Sequence, residues 1–357
     1  MANNAMNNET ARAMLFAQSY RQSQEVSPQP VSLGGTNTID LPHAGIGLHA
    51  RVFVKGTLKR VDGATPGTAT IKNFAPYALV RNVLFKDYTG ITRINSTGWL
   101  LHLREVLQKQ NYDSGNISDY LQTYSDMIYS FSIPTASANQ TKTAPFNFSI
   151  DLPISLNNNT TVGTYPFTVP TGNSTVYIEF GDIADIIAVT TGTTITLEDL
   201  TLYVTYYYLE PIRGAVLPMQ DFSLVHELAQ VKQTDNLNPN AEKRYTLDTG
   251  RTYYMIIAQM VDNGVPDLTN INRVKFLVNG ATPVMDEYIH SYLMRTRQEY
   301  SRDLPNGVIV YNFYEKPWTP DAYGSLQLAL DLGSGFSGGG DTNITILKES
   351  LYIASLG

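Results

Sequence analysis

The sequence predicts an all-β protein: two tandem eight-stranded jelly rolls with short helices, preceded by an N-terminal helical arm. Three observations predict it. Many short segments alternate apolar and polar residues with period two between turn-forming residues. Two distant segments match in register: TTITLEDLTLYV (193–204) and TNITILKESLYI (342–353) share Thr, Ile, Thr, Leu and Tyr. Each half also runs strand, helix-bearing excursion, strand, over 78–152 in one and 272–313 in the other. A repeat of about 150 residues is too long for a solenoid. It fits two similar domains in a chain of 357 residues.

In chain order, residues 8–24 read as a helix, with Asn8 as its cap and Ala, Met, Leu, Gln and Arg dominant. On that helix Arg12, Phe16 and Tyr20 would share a face. So short a helix is marginal alone and should dock on something. Residues 26–41 hold Pro28, Pro30, Gly34 and Gly35 and read as an extended arm. From Ile46 the pattern turns β: Leu48, Ala50, Val52 and Val54 alternate with His49, Arg51, Phe53 and Lys55. Strands follow at 68–73 and 78–87. WLLHLREVLQK (99–109) is a helix, with Leu100, Leu103 and Leu107 at helical spacing. A second helix is expected over 118–129.

Strands resume at 146–152, 176–180 and 195–208, separated by Asn/Thr/Gly/Pro loops such as 157–166. Residues 210–218 read as a linker, and 224–232 as a helix. Strands are expected at 252–262 and 272–278, a helix over 283–300, and strands at 307–313, 325–332 and 343–354. GSGFSGGGD (333–341) reads as a flexible loop.

Composition narrows the function. Charged residues make up 16% of the chain, against roughly 25% in an average soluble domain. The surface must then be rich in Asn, Thr and Ser, or hidden against partners. A net charge of -7 argues against nonspecific nucleic-acid binding by the whole surface. With no cysteine, disulfides, thiolate metal sites and cysteine nucleophiles are excluded. No apolar run reaches the roughly 18 residues that span a bilayer. The start lacks the pattern of a secretory signal, so the chain reads as made in a cytosol.

Chemistry is sparse. His43, His49, His102, His226 and His290 show no metal-binding spacing, and there is no G-x-S-x-G elbow. The Gly-rich 333–340 stretch lacks the ending of a phosphate loop. Glu179, Asp182 and Asp185 lack calcium-loop spacing, and solvated carboxylates are the preferred reading. N-x-[ST] triplets such as those at Asn95 and Asn343 follow from Asn/Thr-rich loops. Trp99 and Trp318 read as core or interface anchors. No cofactor and no metal are expected.

Several motifs occur in a telling order. NFAPYALVRNVLFKDYTG (73–90) precedes STGWLLHL (96–103). Then come LPMQDFS (217–223), VDNG (261–264), RDLPNGV (302–308), Glu315-Lys316-Pro317 and Tyr323-Gly324. The series resembles the double jelly-roll major capsid proteins of tectiviruses, tailless bacteriophages with an internal membrane. The resemblance spans about 41–332 and also fits the N-terminal arm. F-A-P-x-x-L-V followed by S-T-G-W is its most specific part. Shorter loops and the lack of cysteine depart from the pattern.

The resemblance implies an arm over 1–40, a first jelly roll over 41–211 and a second over 212–357. It implies homotrimers of pseudo-hexagonal outline, tiling an icosahedral shell over lipid, with no enzymatic activity. The partners implied are neighbouring trimers, membrane lipid, and minor, penton and spike proteins, without sequence-specific nucleic acid. Arg12, Met14, Leu15, Phe16, Tyr20 and Arg21 would contact membrane or neighbours, unless the helix merely packs under its own roll. Phe74, Pro76, Gly98, Trp99, Pro305 and Gly307 are the motif positions with structural roles. A β-sandwich lectin or adhesin is the alternative, although it would want a secretion signal. A cupin-type enzyme would need clustered histidines.

Overall fold

A computed structural model describes residues 8–110, 130–157, 160–166, 172–212, 222–234, 238–300, 303–320, 324–337 and 341–353. The helix expected over 118–129 and most of the 210–218 linker lie outside the described residues. The chain divides into two compact units, with the main division between His226 and Glu227.

In the first unit, the strands are β1 (Ser19–Pro30), β2 (Thr36–Asp40), β3 (Ile46–Asp62), β4 (Ala69–Ile71), β5 (Val80–Lys86) and β6 (Thr92–Ser96). They continue with β7 (Ser130–Phe131), β8 (Thr141–Pro153), β9 (Thr175–Phe180), β10 (Ile187–Val189) and β11 (Thr193–Pro211). One sheet runs β1-β11-β3-β8, with the short β7 at its edge, and a second runs β2-β9-β5-β6. All these pairings are antiparallel. The order of the eight main strands is that of a jelly roll. The inward residues are those that period two marks: Val52 and Val54 of β3, Phe148 and Ile150 of β8, and Ile178 and Phe180 of β9 are all buried. The Gly98–Gln110 helix follows β6 and buries Leu100, Leu103 and Leu107 as expected.

β12 (Leu224–Gln233) carries the chain onward. The second unit adds β13 (Glu242–Thr246), β14 (Arg251–Asp262), β15 (Val265–Pro266), β16 (Ile271–Val278), β17 (Thr282–Tyr288), β18 (Val308–Asn312), β19 (Leu326–Leu332) and β20 (Asn343–Ile353). Here the orders are β12-β20-β14-β18 and β13-β19-β16-β17. Strand for strand, this repeats the first unit. The two matched sequence segments, 193–204 and 342–353, are β11 and β20, in the same place in each roll. The Ile289–Tyr300 helix follows β17 as the Gly98–Gln110 helix follows β6. One core joins both sheets and that helix, through Ile256, Phe276, Tyr292, Ile309, Leu328 and Ile344. The VDNG motif closes the β14–β15 hairpin, with Asn263 and Gly264 at φ 50° and 77°, the signs a tight primed turn needs.

Four sequence expectations need correction. The first helix ends at Ala17, and Ser19–Pro30 is a strand paired with β11. The expected extended arm supplies β1 and β2, the first two strands of the roll, because a long partner outweighs weak helical propensity. Residues 224–232 form β12, not a helix. Their apolar positions 224, 225, 228 and 231 imitate helical spacing. Of 283–300, the first part is β17, and the helix starts at Ile289. Of the expected 333–341 loop, residues 338–340 lie outside the described residues, while Phe336 is buried in the core and the Ser337 N–H donates to Asp262.

Candidate assembly interface

The N-terminal helix spends its apolar side on its own unit. Ala11 and Leu15 are each 2% exposed, and Leu15 packs with Ile46, Leu48 and Leu209, flanked by Phe16 and Phe222. Arg12 and Met14 are half-buried. Tyr20 and Arg21 lie in β1, not on the helix, and both are exposed. The Arg21 guanidinium sits 5.2 Å from the Phe16 ring centroid, a cation–π distance. The six residues named from sequence therefore do not form one helical face. Beside β1 a cavity of about 380 Å³ is lined by Arg21, Gln22, Ser23, Leu48, His49 and Tyr207. There the His49 ring stacks on Tyr207 at 4.3 Å and approaches Asp151 at 3.9 Å.

The motif residues are packing devices. Phe74 has a left-handed backbone, φ 66°, and its ring stacks on Trp99 at 4.2 Å. The Ala75–Pro76 peptide is cis. A Cβ on Gly98 would come within 2.7 Å of Val80 Cβ and 2.8 Å of Ile150 Cδ1, so one strand of each sheet requires glycine there. Trp99 is half-buried, not fully enclosed. Pro305 and Gly307 make the turn into β18. Gly307 has φ 77°, and a Cβ there would meet Met260 O at 2.5 Å. The DYTG end of the first motif holds a buried ion pair: Arg93 donates to Asp87 at 2.8 Å, while Asp87 also accepts from Thr89 and Ile91.

One repeated device was not read from the sequence. Asp62 ends β3 and accepts from Thr193, Ser137 and Arg60. Asp262 ends β14 and accepts from Thr342 and Ser337. Burial pushes both carboxyls up, but these hydrogen bonds outweigh it and hold them below the usual carboxylate range. Thr193 and Thr342 are the first matched residues of the internal repeat. Extending that alignment to their partners would have found both aspartates.

The other polar groups support a structural role. Asp182 and Asp185 both bind Arg81, at 3.2 and 2.9 Å, and cap a helical turn. His43 bonds Asn173, His102 stacks on Tyr77, and His290 is exposed. Among the described residues, no group of three or more potential metal ligands occurs, and no helix is long and apolar enough to cross a membrane.

The P3 major capsid protein N-terminal family model matches residues 2–214. The chain belongs to that family. Major capsid protein P3 of Enterobacteria phage PRD1 is 22% identical over 345 residues, covering 91% of this chain and 86% of its own. The STIV MCP crystal structure superposes with a TM-score of 0.66 at 14% identity, covering 94% and 97% of the two chains. Major capsid protein P2 of bacteriophage PM2 gives 0.54 at 11% identity, with 95% and 99% covered. This P3-family chain is a capsid protein that builds the virion shell, and its role is structural, not enzymatic. The lectin or adhesin alternative finds no support among these relatives.

Proposed function

We propose that this P3-family chain forms homotrimers of pseudo-hexagonal outline, and that the trimers tile an icosahedral shell over an internal membrane. The observation that carries the reading is the duplicated strand order. Two equivalent rolls per chain, in three copies, give six similar corners. Six-cornered units suit a lattice of repeated contacts, each weak and effective together. Minor, penton and spike proteins would fill the positions that trimers leave. Synthesis would take place in the host cytoplasm.

Tyr20 and Arg21 are the best-exposed members of the proposed contact set, available to neighbouring subunits or lipid phosphates. Leu15 is already committed to its own roll, which favours neighbour contact over insertion of the helix into lipid. Light scattering on the purified protein tests the trimer. A mass about three times the 39.6 kDa chain is expected. A monomer at micromolar concentration would overturn it.

A further inference from the structure

In the second unit, the Ile289–Tyr300 helix carries a charged cluster on its outer side. Its inner side is committed to the roll. Tyr292 is buried, and its hydroxyl accepts from the Val310 N–H at 2.6 Å and donates to Val310 O at 3.1 Å, which ties the helix to β18. Outside, Arg295 donates to Glu287 of β17 at 3.0 Å and to Glu299 at 3.1 Å, with the Met285 sulfur at 3.3 Å. One guanidinium therefore serves two carboxylates. Glu315, from the Glu315-Lys316-Pro317 motif, bears on Glu299 as a third negative charge.

The neighbouring cations are engaged elsewhere. Arg297 stands 3.7 Å from Asp303, and Lys316 lies 5.9 Å from the Trp318 ring centroid. On β16, Arg273 pairs with Asp286 at 2.7 Å, and Lys275 is held by Glu242 and Asp331. β18 brings the buried Tyr311 and also Asn312, which hydrogen-bonds Tyr300.

Of the three carboxylates, Glu299 is the one worst placed to carry its charge. It lies in the last helical turn, where the dipole disfavours a negative group. Arg295 precedes it by four residues, the weaker order for a helix ion pair. Burial pushes its carboxyl up, and the charges of Glu315 and Glu287 push the same way. Arg295 and the Tyr300 hydroxyl offset this only in part, so the carboxyl sits above its ordinary value. The direction is opposite to that of Asp62 and Asp262.

We infer that Glu299, with Arg295, Glu287 and Glu315, forms an acid-tightened latch at the end of this helix. With Glu299 protonated, Arg295 answers Glu287 alone, and the last turn closes against β17 and the Glu315–Pro317 segment. With Glu299 ionised, three like charges share one cation and the closure weakens. The folded carboxyl keeps its proton to a higher pH than the unfolded one. Its stabilising contribution is therefore full below the unfolded value of about 4.3 and is lost as pH rises through the folded value.

Thermal melts of the full chain test this with wild type, Glu299→Gln, Glu315→Gln and the double variant, at pH 8 and pH 4. Gln has the shape of a protonated Glu. Glu299→Gln is expected to melt above wild type at pH 8, and the gap is expected to close by pH 4. Glu315→Gln removes one like charge and is expected to raise the pH 8 midpoint by less. In the double variant the two gains should fall short of their sum, because residues of one charge cluster couple. No gap at pH 8, or a gap that persists at pH 4, would sink the latch. Strictly additive gains would show that Glu315 does not bear on Glu299, which overturns the cluster. A Glu299→Gln chain melting below wild type at both pH values would mean that the Arg295–Glu299 pair dominates, and that also overturns it.

Discussion

At the residue scale, small groups in tight places set the fold. Gly98 is the sharpest case, because its missing side chain lets the helix start touch both sheets. Gly98→Ala is expected to cost about 1–3 kcal/mol through overpacking, read as a lowered unfolding midpoint in calorimetry. Asp62 gives a pH signature. Its folded carboxyl titrates below its unfolded value of about 3.9, so its contribution is present above that pH and fades as pH falls through the folded value. Asp62→Asn should therefore be less stable than wild type at pH 7. The gap should narrow by pH 3 in denaturant melts, and an unchanged gap would mean that the carboxylate charge is not what matters.

At the element scale, the N-terminal segment is two things in sequence, a docked helix and a strand. Truncation separates them. Removing residues 1–17 uncovers Ile46, Leu48 and Leu209 but leaves β1 whole. Removing residues 1–24 also strips β1 of the start of its ladder with β11, from Ser19 to Gln24. The longer truncation is expected to melt clearly lower than the shorter one. Equal midpoints would show that β1 contributes little to the first roll. Residues 224–232 carry the same lesson. Leu, Glu, Ala, Gln and Lys favour a helix locally, yet the segment is a strand, because sheet pairing outweighs propensities worth a few tenths of a kcal/mol per residue.

At the scale of the whole molecule, the duplicated strand order organises the low charge content. In a shell-forming chain with 16% charged residues, contacts between copies are expected to rest on apolar and uncharged polar surface more than on ion pairs. Raising the salt to about 1 M, where the Debye length is near 3 Å, is expected to leave the native mass unchanged. Dissociation into monomers by salt would point to charged junctions instead.

The sequence by itself determined the all-β class, the internal repeat, the two excursion helices near Trp99 and Ile289, and the motifs that place the chain among P3-type capsid proteins. These are legible because period-two burial and turn chemistry are local properties, and because β11 and β20 kept their matching residues. Only the tertiary structure decided that 19–40 supplies two strands, that Leu15 is buried while Tyr20 is exposed, and that Asp62 and Asp262 lock equivalent corners. Each depends on a partner far along the chain: β11 for β1, Leu209 for Leu15, Thr193 and Thr342 for the aspartates. Propensity and periodicity act over a few residues, whereas these pairings and hydrogen bonds join segments 80 or more residues apart.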